Sequence, residues 1–149
     1  MEIPRRKLLD VLNRIDLFAD ISAGDKERLL VPRHIVKVFP QSDSLIQAGD
    51  SDDNFYILLA GKAGIYKAGQ RVAEVTPGDF VGEMGFICGE PRTATVTADM
   101  DVIAMCLDNK AFAGLPSGLR EKIKDRLIGA LVKRVDSLNR QLAQYKAGA

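Results

Sequence analysis

Histidine is almost missing from this chain: His34 is the only one in 149 residues. A Ser-His-Asp or Cys-His set needs an imidazole beside its nucleophile, and no second base is present to build one elsewhere. Cysteine is nearly as scarce. Cys88 and Cys106 lack metal-ligand spacing, and two thiols do not make a disulfide framework, so a reduced, cytoplasmic setting is expected. Cys106 lies in an apolar strand and reads as a buried thiol, whereas Cys88 lies in a loop. An excess of charge of one sign is also missing. The formal net charge of +1 leaves no electrostatic footprint for nucleic acid. No apolar run reaches the length of a membrane span, and the charged N-terminal stretch has no signal-peptide core. No internal repeat or low-complexity segment stands out.

What is present is ordinary for a globular chain: 46% apolar and 28% charged residues. The length suits one domain over 1–149 that buries its core without staples. Leu8, Leu12, Ile15 and Phe18 have helical spacing and predict an amphipathic helix within 5–18. Ser22 and Asp25 read as a cap and capping-box position before a helix over 26–30, ended by Pro32. The pattern then changes to short strand-like runs between turn residues, near 35–39, 44–47, 54–60, 63–67, 71–76, 79–81, 93–98 and 102–107. Eight such runs predict a sandwich or barrel. Asp108 can cap a short helix over 109–114, and a long helix follows over about 119–146. In it, Ile128, Leu131, Val135, Leu138, Leu142 and Tyr145 recur at spacings of three and four, a heptad seam that needs a partner helix. Ile123 and Leu127 extend the apolar surface toward the body of the domain.

The stretch from Gly78 to Val96 carries the chemistry. Gly82 allows close approach of the backbone to a ligand. Residues 83–87 can form a helical turn whose free N–H groups favour an anion. Arg92 can return a planar guanidinium to that anion, and Glu83 can accept hydrogen bonds from sugar hydroxyls. These parts suit a phosphate attached to a ribose. A structural Glu83–Arg92 ion pair, with the glycines as plain turns, is the simpler alternative.

Val81-Gly82-Glu83-Met84-Gly85-Phe86, followed by Pro91-Arg92-Thr93-Ala94-Thr95-Val96, resembles the phosphate-binding cassette of cyclic nucleotide-binding domains. That cassette reads roughly F-G-E-[LIM]-[AG]-[LF], a short loop, then P-R-[AST]-A-x-V. Valine replaces the first phenylalanine, and Gly85 stands where alanine is commoner. Upstream, Ile46-Gln47-Ala48-Gly49-Asp50 and Phe55-Tyr56-Ile57-Leu58-Leu59-Ala60-Gly61 look like the family's early strands.

The resemblance implies a mainly β fold: an eight-stranded double-stranded β-helix, or jelly roll, over 34–107. Helices at 1–33 and 108–149 flank it, and the cassette occupies 78–96. It implies a cyclic nucleotide ligand, with cyclic AMP expected first and cyclic GMP as the alternative. Arg92 would pair with the phosphate, aided by backbone N–H groups of Gly82, Met84, Gly85, Thr93 and Ala94. Glu83 would hold the 2′-hydroxyl, and Ile65, Val72 and Ala73 would wall the ribose and base. Thr93 either contacts the base or simply opens a strand. Arg134, Leu138 and Asn139 are the candidates to cover the base. Arg134 is equally a solvated helix flank, and Leu138 equally a seam residue.

A regulatory module without enzymatic activity is therefore expected. Metal-dependent cupins share the architecture, but their centres use two or three histidines, so no metal is expected here. Partners are expected to be a second copy through the 128–145 seam and an unidentified effector protein, with no membrane and no DNA. The start at Met1 and the small, polar C-terminus favour a free-standing protein. A fragment of a larger regulator, or a ligand-independent interaction module of the same fold, is the other reading. Modules of that last kind usually lose the cassette arginine or acid, and both are here.

Overall fold

The five residues from Phe55 to Leu59 are all buried, because the strand they form is covered on both faces. The computed structural model describes residues 3–30 and 35–148. Within them, the β1 (Val36–Phe39), β2 (Ser44–Ile46), β3 (Phe55–Ala60) and β4 (Ala63–Lys67) strands are followed by β5 (Gln70–Val75), β6 (Phe80–Val81), β7 (Thr95–Ala98) and β8 (Val102–Leu107). They form two antiparallel four-stranded sheets, ordered β1-β8-β3-β6 and β2-β7-β4-β5. This is the β-roll that the cassette resemblance implies, with helices before and after it.

Side-chain alternation along β3 explains its double burial. Tyr56 and Leu58 point between the sheets, toward Ala63, Val96 and Ala98. Phe55, Ile57 and Leu59 point the other way, into a core closed by helices. Those helices are α1 (Arg5–Asn13), α2 (Ala23–Leu30) and the first third of a long C-terminal helix. Between α2 and that last helix lie two short ones, α3 (Glu83–Cys88) and α4 (Asn109–Ala113). The long helix is α5 (Ser117–Ala147).

The helix expected within 5–18 is broken in two. Ile15 takes an extended backbone, and a separate 3-10 turn follows at Asp16–Phe18. The break turns Ile15, Leu17 and Phe18 inward to the core together, which a straight helix would not do. Ser22 caps α2 as read, accepting from the Asp25 N–H at 3.1 Å, but the helix starts at Ala23 rather than residue 26. The reading of Pro32 as its end, and His34, lie outside the described residues. Asp108 caps α4 by accepting from the Ala111 N–H at 2.7 Å. Cys106 is buried and Cys88 exposed.

At 1.5 Å per residue, the 31 residues of α5 span about 46 Å. Leu119, Ile123 and Leu127 are buried against the body. Beyond Leu127 no described residue of α5 is buried, and Ile128, Val135, Leu138, Leu142 and Tyr145 stand exposed along it, as does Val132. The sandwich is too small to cover a helix of this length.

Candidate functional site

Two turns built by backbone hydrogen bonds bring Arg92 home. The Gly49 N–H donates to the Arg92 carbonyl at 2.8 Å, and the Arg92 N–H donates to the Asp50 carbonyl at 2.8 Å. Residue 92 is thereby fastened to the connection between β2 and β3 before β7 begins at Thr95. On the other side, β6 pairs with β3 through Val81 and Tyr56, then the chain reverses at Gly82. Gly82 has φ +82°, a conformation that favours glycine, and a Cβ there would lie 2.7 Å from Ile46 Cδ1. It is the N-cap of α3, whose first N–H groups have no intrahelical partner.

The Arg92 side chain is only 4% exposed, although it carries a permanent charge. Nη1 donates to the Gly82 carbonyl at 2.7 Å. Nη2 donates to Asp52 Oδ1 at 2.7 Å and to the Asn54 carbonyl. Nε is buried and has no partner. A guanidinium offers five N–H donors, so donors remain for another acceptor. The hydrogen bond from Arg92 holds the Asp52 carboxyl below the usual carboxylate range. Arg92 thus takes Asp52 rather than Glu83 as its ion-pair partner. Close by, between the sheets, burial pushes the Tyr56 phenol up and the Cys106 thiol up.

Around this arginine opens a cavity of about 350 Å³. That lies within the ~300–1,000 Å³ range of small-molecule sites. One side is the turn and α3: Gly82, Glu83, Met84 and Gly85. Arg92, Thr93 and Ala94 form the floor and the entry to β7. Ile65, Val72 and Ala73 make the apolar wall, with Ile65 and Ala73 directly opposite each other across the β4–β5 pair. A bidentate Arg71–Asp99 pair, both bonds 2.8 Å, ties that hairpin to the residue after β7. Arg134 reaches the cavity from α5, where it pairs with Glu90 of the cassette loop at 3.8 Å.

The structure therefore brings together the cassette, wall and Arg134 positions singled out from sequence. Leu138 and Asn139 do not line the cavity and sit on the exposed part of α5. Sequence reading missed Asp52, Lys67 and Glu90. Asp52 stands in a run of turn residues, Gly49 to Asp53, where no spacing distinguishes it from Asp50 or Asp53. Lys67 and Glu90 line the cavity from a strand end and a loop, positions with no periodicity to reveal them. Among the described residues no group of three or more His, Cys, Asp or Glu side chains is placed to hold a metal ion.

The profile of the cyclic nucleotide-binding domain matches residues 36–117, more than half of the chain. A cAMP-dependent protein kinase regulatory subunit from Hypocrea atroviridis is 27% identical over 140 residues, which is 92% of this chain and 30% of that protein. The chain thus spans less than a third of the kinase subunits it matches. Among solved structures, one of Sp-2Cl-cAMPS bound to PKAR CBD2 superposes with a TM-score of 0.67 at 25% identity, over 91% of this chain and 90% of that one. A cyclic nucleotide-binding domain from Methylobacillus flagellatus superposes with a TM-score of 0.64 at 28% identity, over 93% and 83%.

Proposed function

The chain belongs to the cyclic nucleotide-binding domain family, and from that premise we propose that it is a cyclic AMP sensor whose α5 helix moves when the cavity fills. The observation that carries the proposal is Arg92: a buried cation with an unpartnered Nε, lining a cavity wide enough for one nucleotide. A cyclic phosphodiester is a small, singly charged anion that supplies the acceptor Nε lacks. Glu83, in the same lining, is an acceptor for a ribose hydroxyl. Ile65, Val72 and Ala73 offer apolar surface to the sugar and base. A nucleotide without the 2′-hydroxyl leaves Glu83 short of a partner and binds more weakly.

Closure would come from α5. Arg134 already stands at the cavity, and its guanidinium can lie against a base plane. Leu138 and Asn139 lie farther along α5 and would reach the base only if the helix swings inward. Ligand binds the swung-in state more tightly, and that differential affinity is what makes a switch. The exposed seam from Ile128 to Tyr145 fits a homodimer through paired α5 helices, and an effector protein would read the helix position. The kinase-subunit relative supports a regulatory rather than catalytic role.

Thr93 favours a second reading. Thr93 lines the cavity, and its hydroxyl is both a donor and an acceptor, as a guanine-reading group must be. Calorimetric titration with cyclic AMP, cyclic GMP and 5′-AMP tests both. Tight binding of cyclic AMP alone supports the first reading, and a preference for cyclic GMP supports the second. No heat with any of the three, from folded and ligand-free protein, contradicts both.

A further inference from the structure

Besides Arg92 the cavity is lined by two cations, Arg134 and Lys67. Arg134 has a partner in Glu90 at 3.8 Å. The carboxylates of the neighbouring strands and loops are also taken: Glu74 by Lys62 and Arg71, Asp99 by Arg71, and Asp52 by Arg92. None of the ion pairs among the described residues includes Lys67. Resting on the cyclic nucleotide reading of the site, we propose that Lys67 reads the base: its ammonium donates to the O6 and N7 edge of a 6-oxopurine, which raises affinity for cyclic GMP relative to cyclic AMP.

Position comes first. Side chains alternate along β4. Tyr66 turns to the outer face, where its hydroxyl accepts from Arg71 at 3.3 Å, while Ile65 and Lys67 on either side of it line the cavity. Lys67 therefore stands about 7 Å beyond Ile65, at the open end of the apolar wall. Tyr66 pairs with Thr95 at the start of β7, so Lys67 comes beside the Thr93 and Ala94 stretch of the same lining. It is exposed, and its long stem can lie along the wall while the ammonium meets the edge of a base.

Chemistry then selects the base. An ammonium has three donors and no acceptor. Guanine presents two adjacent acceptors, O6 and N7, whereas adenine sets an amine donor beside its N7. Lys67 gains two bonds from the first edge and faces N–H against N–H at the second. The Thr93 hydroxyl can accept from the 2-amino group of guanine, which adenine lacks, so the two side chains favour the same base.

The test is titration of wild type, Lys67→Met, Lys67→Arg and Lys62→Met with cyclic AMP, cyclic GMP and cyclic IMP. Cyclic IMP keeps O6 and N7 but has no 2-amino group, which separates Lys67 from Thr93. Lys62 pairs with Glu74 and does not line the cavity, so Lys62→Met controls for loss of a nearby charge. Lys67→Met should bind cyclic GMP and cyclic IMP about tenfold more weakly and cyclic AMP within about twofold of wild type. Lys67→Arg should keep the wild-type ratios, and Lys62→Met should change none. An equal loss for all three nucleotides overturns the proposal, because the ammonium then serves the phosphate. No loss for any of them, or a loss for cyclic GMP without one for cyclic IMP, also overturns it. A wild type that binds cyclic AMP but neither 6-oxopurine nucleotide overturns it and leaves the sensor reading standing. If folded, ligand-free wild type binds none of the three, the sensor reading fails and the proposal with it.

Discussion

Gly85 and Arg92 share one volume: a Cβ on residue 85 would lie 2.7 Å from the Arg92 Cζ. The guanidinium rests where the first side-chain atom of α3's third residue would stand. Alanine at 85 therefore has to push a buried cation off its three acceptors or bend the turn at Gly82. We expect Gly85→Ala to lose about 1–3 kcal/mol of stability, the range of overpacked sites, and to weaken cyclic AMP binding. Chemical denaturation and titration check this. An alanine variant with unchanged stability and affinity would show that Arg92 has room to spare.

Asp52 gives the free protein an acid-sensitive increment of stability. Its carboxyl titrates below the usual value because Arg92 donates to it. A folded-state pKa lower than the unfolded one contributes stability that is present above the unfolded value and lost as pH falls through the folded value. The increment is thus complete at neutral pH, begins to fall near the unfolded value of about 4, and is lost as pH drops through the lower folded value. Solvent screening of the 37% exposed side chain limits it to about 1 kcal/mol. Denaturation of wild type and Asp52→Asn between pH 3 and 7 should show a gap that narrows on acidification. A constant gap contradicts the pairing.

Ala68 is strained at the tip of the β4–β5 hairpin. The two-residue turn Ala68-Gly69 has φ +51° and +77°, the pattern of a primed turn that favours Asn-Gly. Ala68→Asn should stabilise the protein by about 0.5–1 kcal/mol, relieving an alanine in the left-handed region. Thermal melting checks it, and a lower melting temperature counts against the strain argument.

Much of this was legible in the sequence, and the parts that were not share a cause. The strand runs were read because β3 and its neighbours are short apolar stretches between turn residues. The cassette was read because Gly82, Glu83 and Arg92 stand close in sequence. Asp52 was not, since its partner is 40 residues away and meets it only through the backbone bonds that fix residue 92 to Gly49 and Asp50. The break at Ile15 escaped the periodicity reading for a similar reason. The apolar spacing through Phe18 is helical, but the core requires Ile15, Leu17 and Phe18 to turn inward together, and that demand comes from tertiary packing.

The α5 seam makes its own prediction. Leu138 is half exposed in one copy, so a charge there costs a lone protomer little. Leu138→Asp should leave the protomer folded while abolishing a dimer in sedimentation, and should lower the melting temperature only by what the lost dimer contributed. A dimer that survives the substitution lies on another surface.

The central claim is that Arg92 receives the ligand's phosphate, and the measurement that tests it most directly is titration of wild type and Arg92→Ala with cyclic AMP. The account predicts a loss of about 2–4 kcal/mol of binding free energy in a folded variant, as for a buried anion deprived of its paired charge. Equal affinity in the two proteins would remove Arg92 from the site and contradict the account.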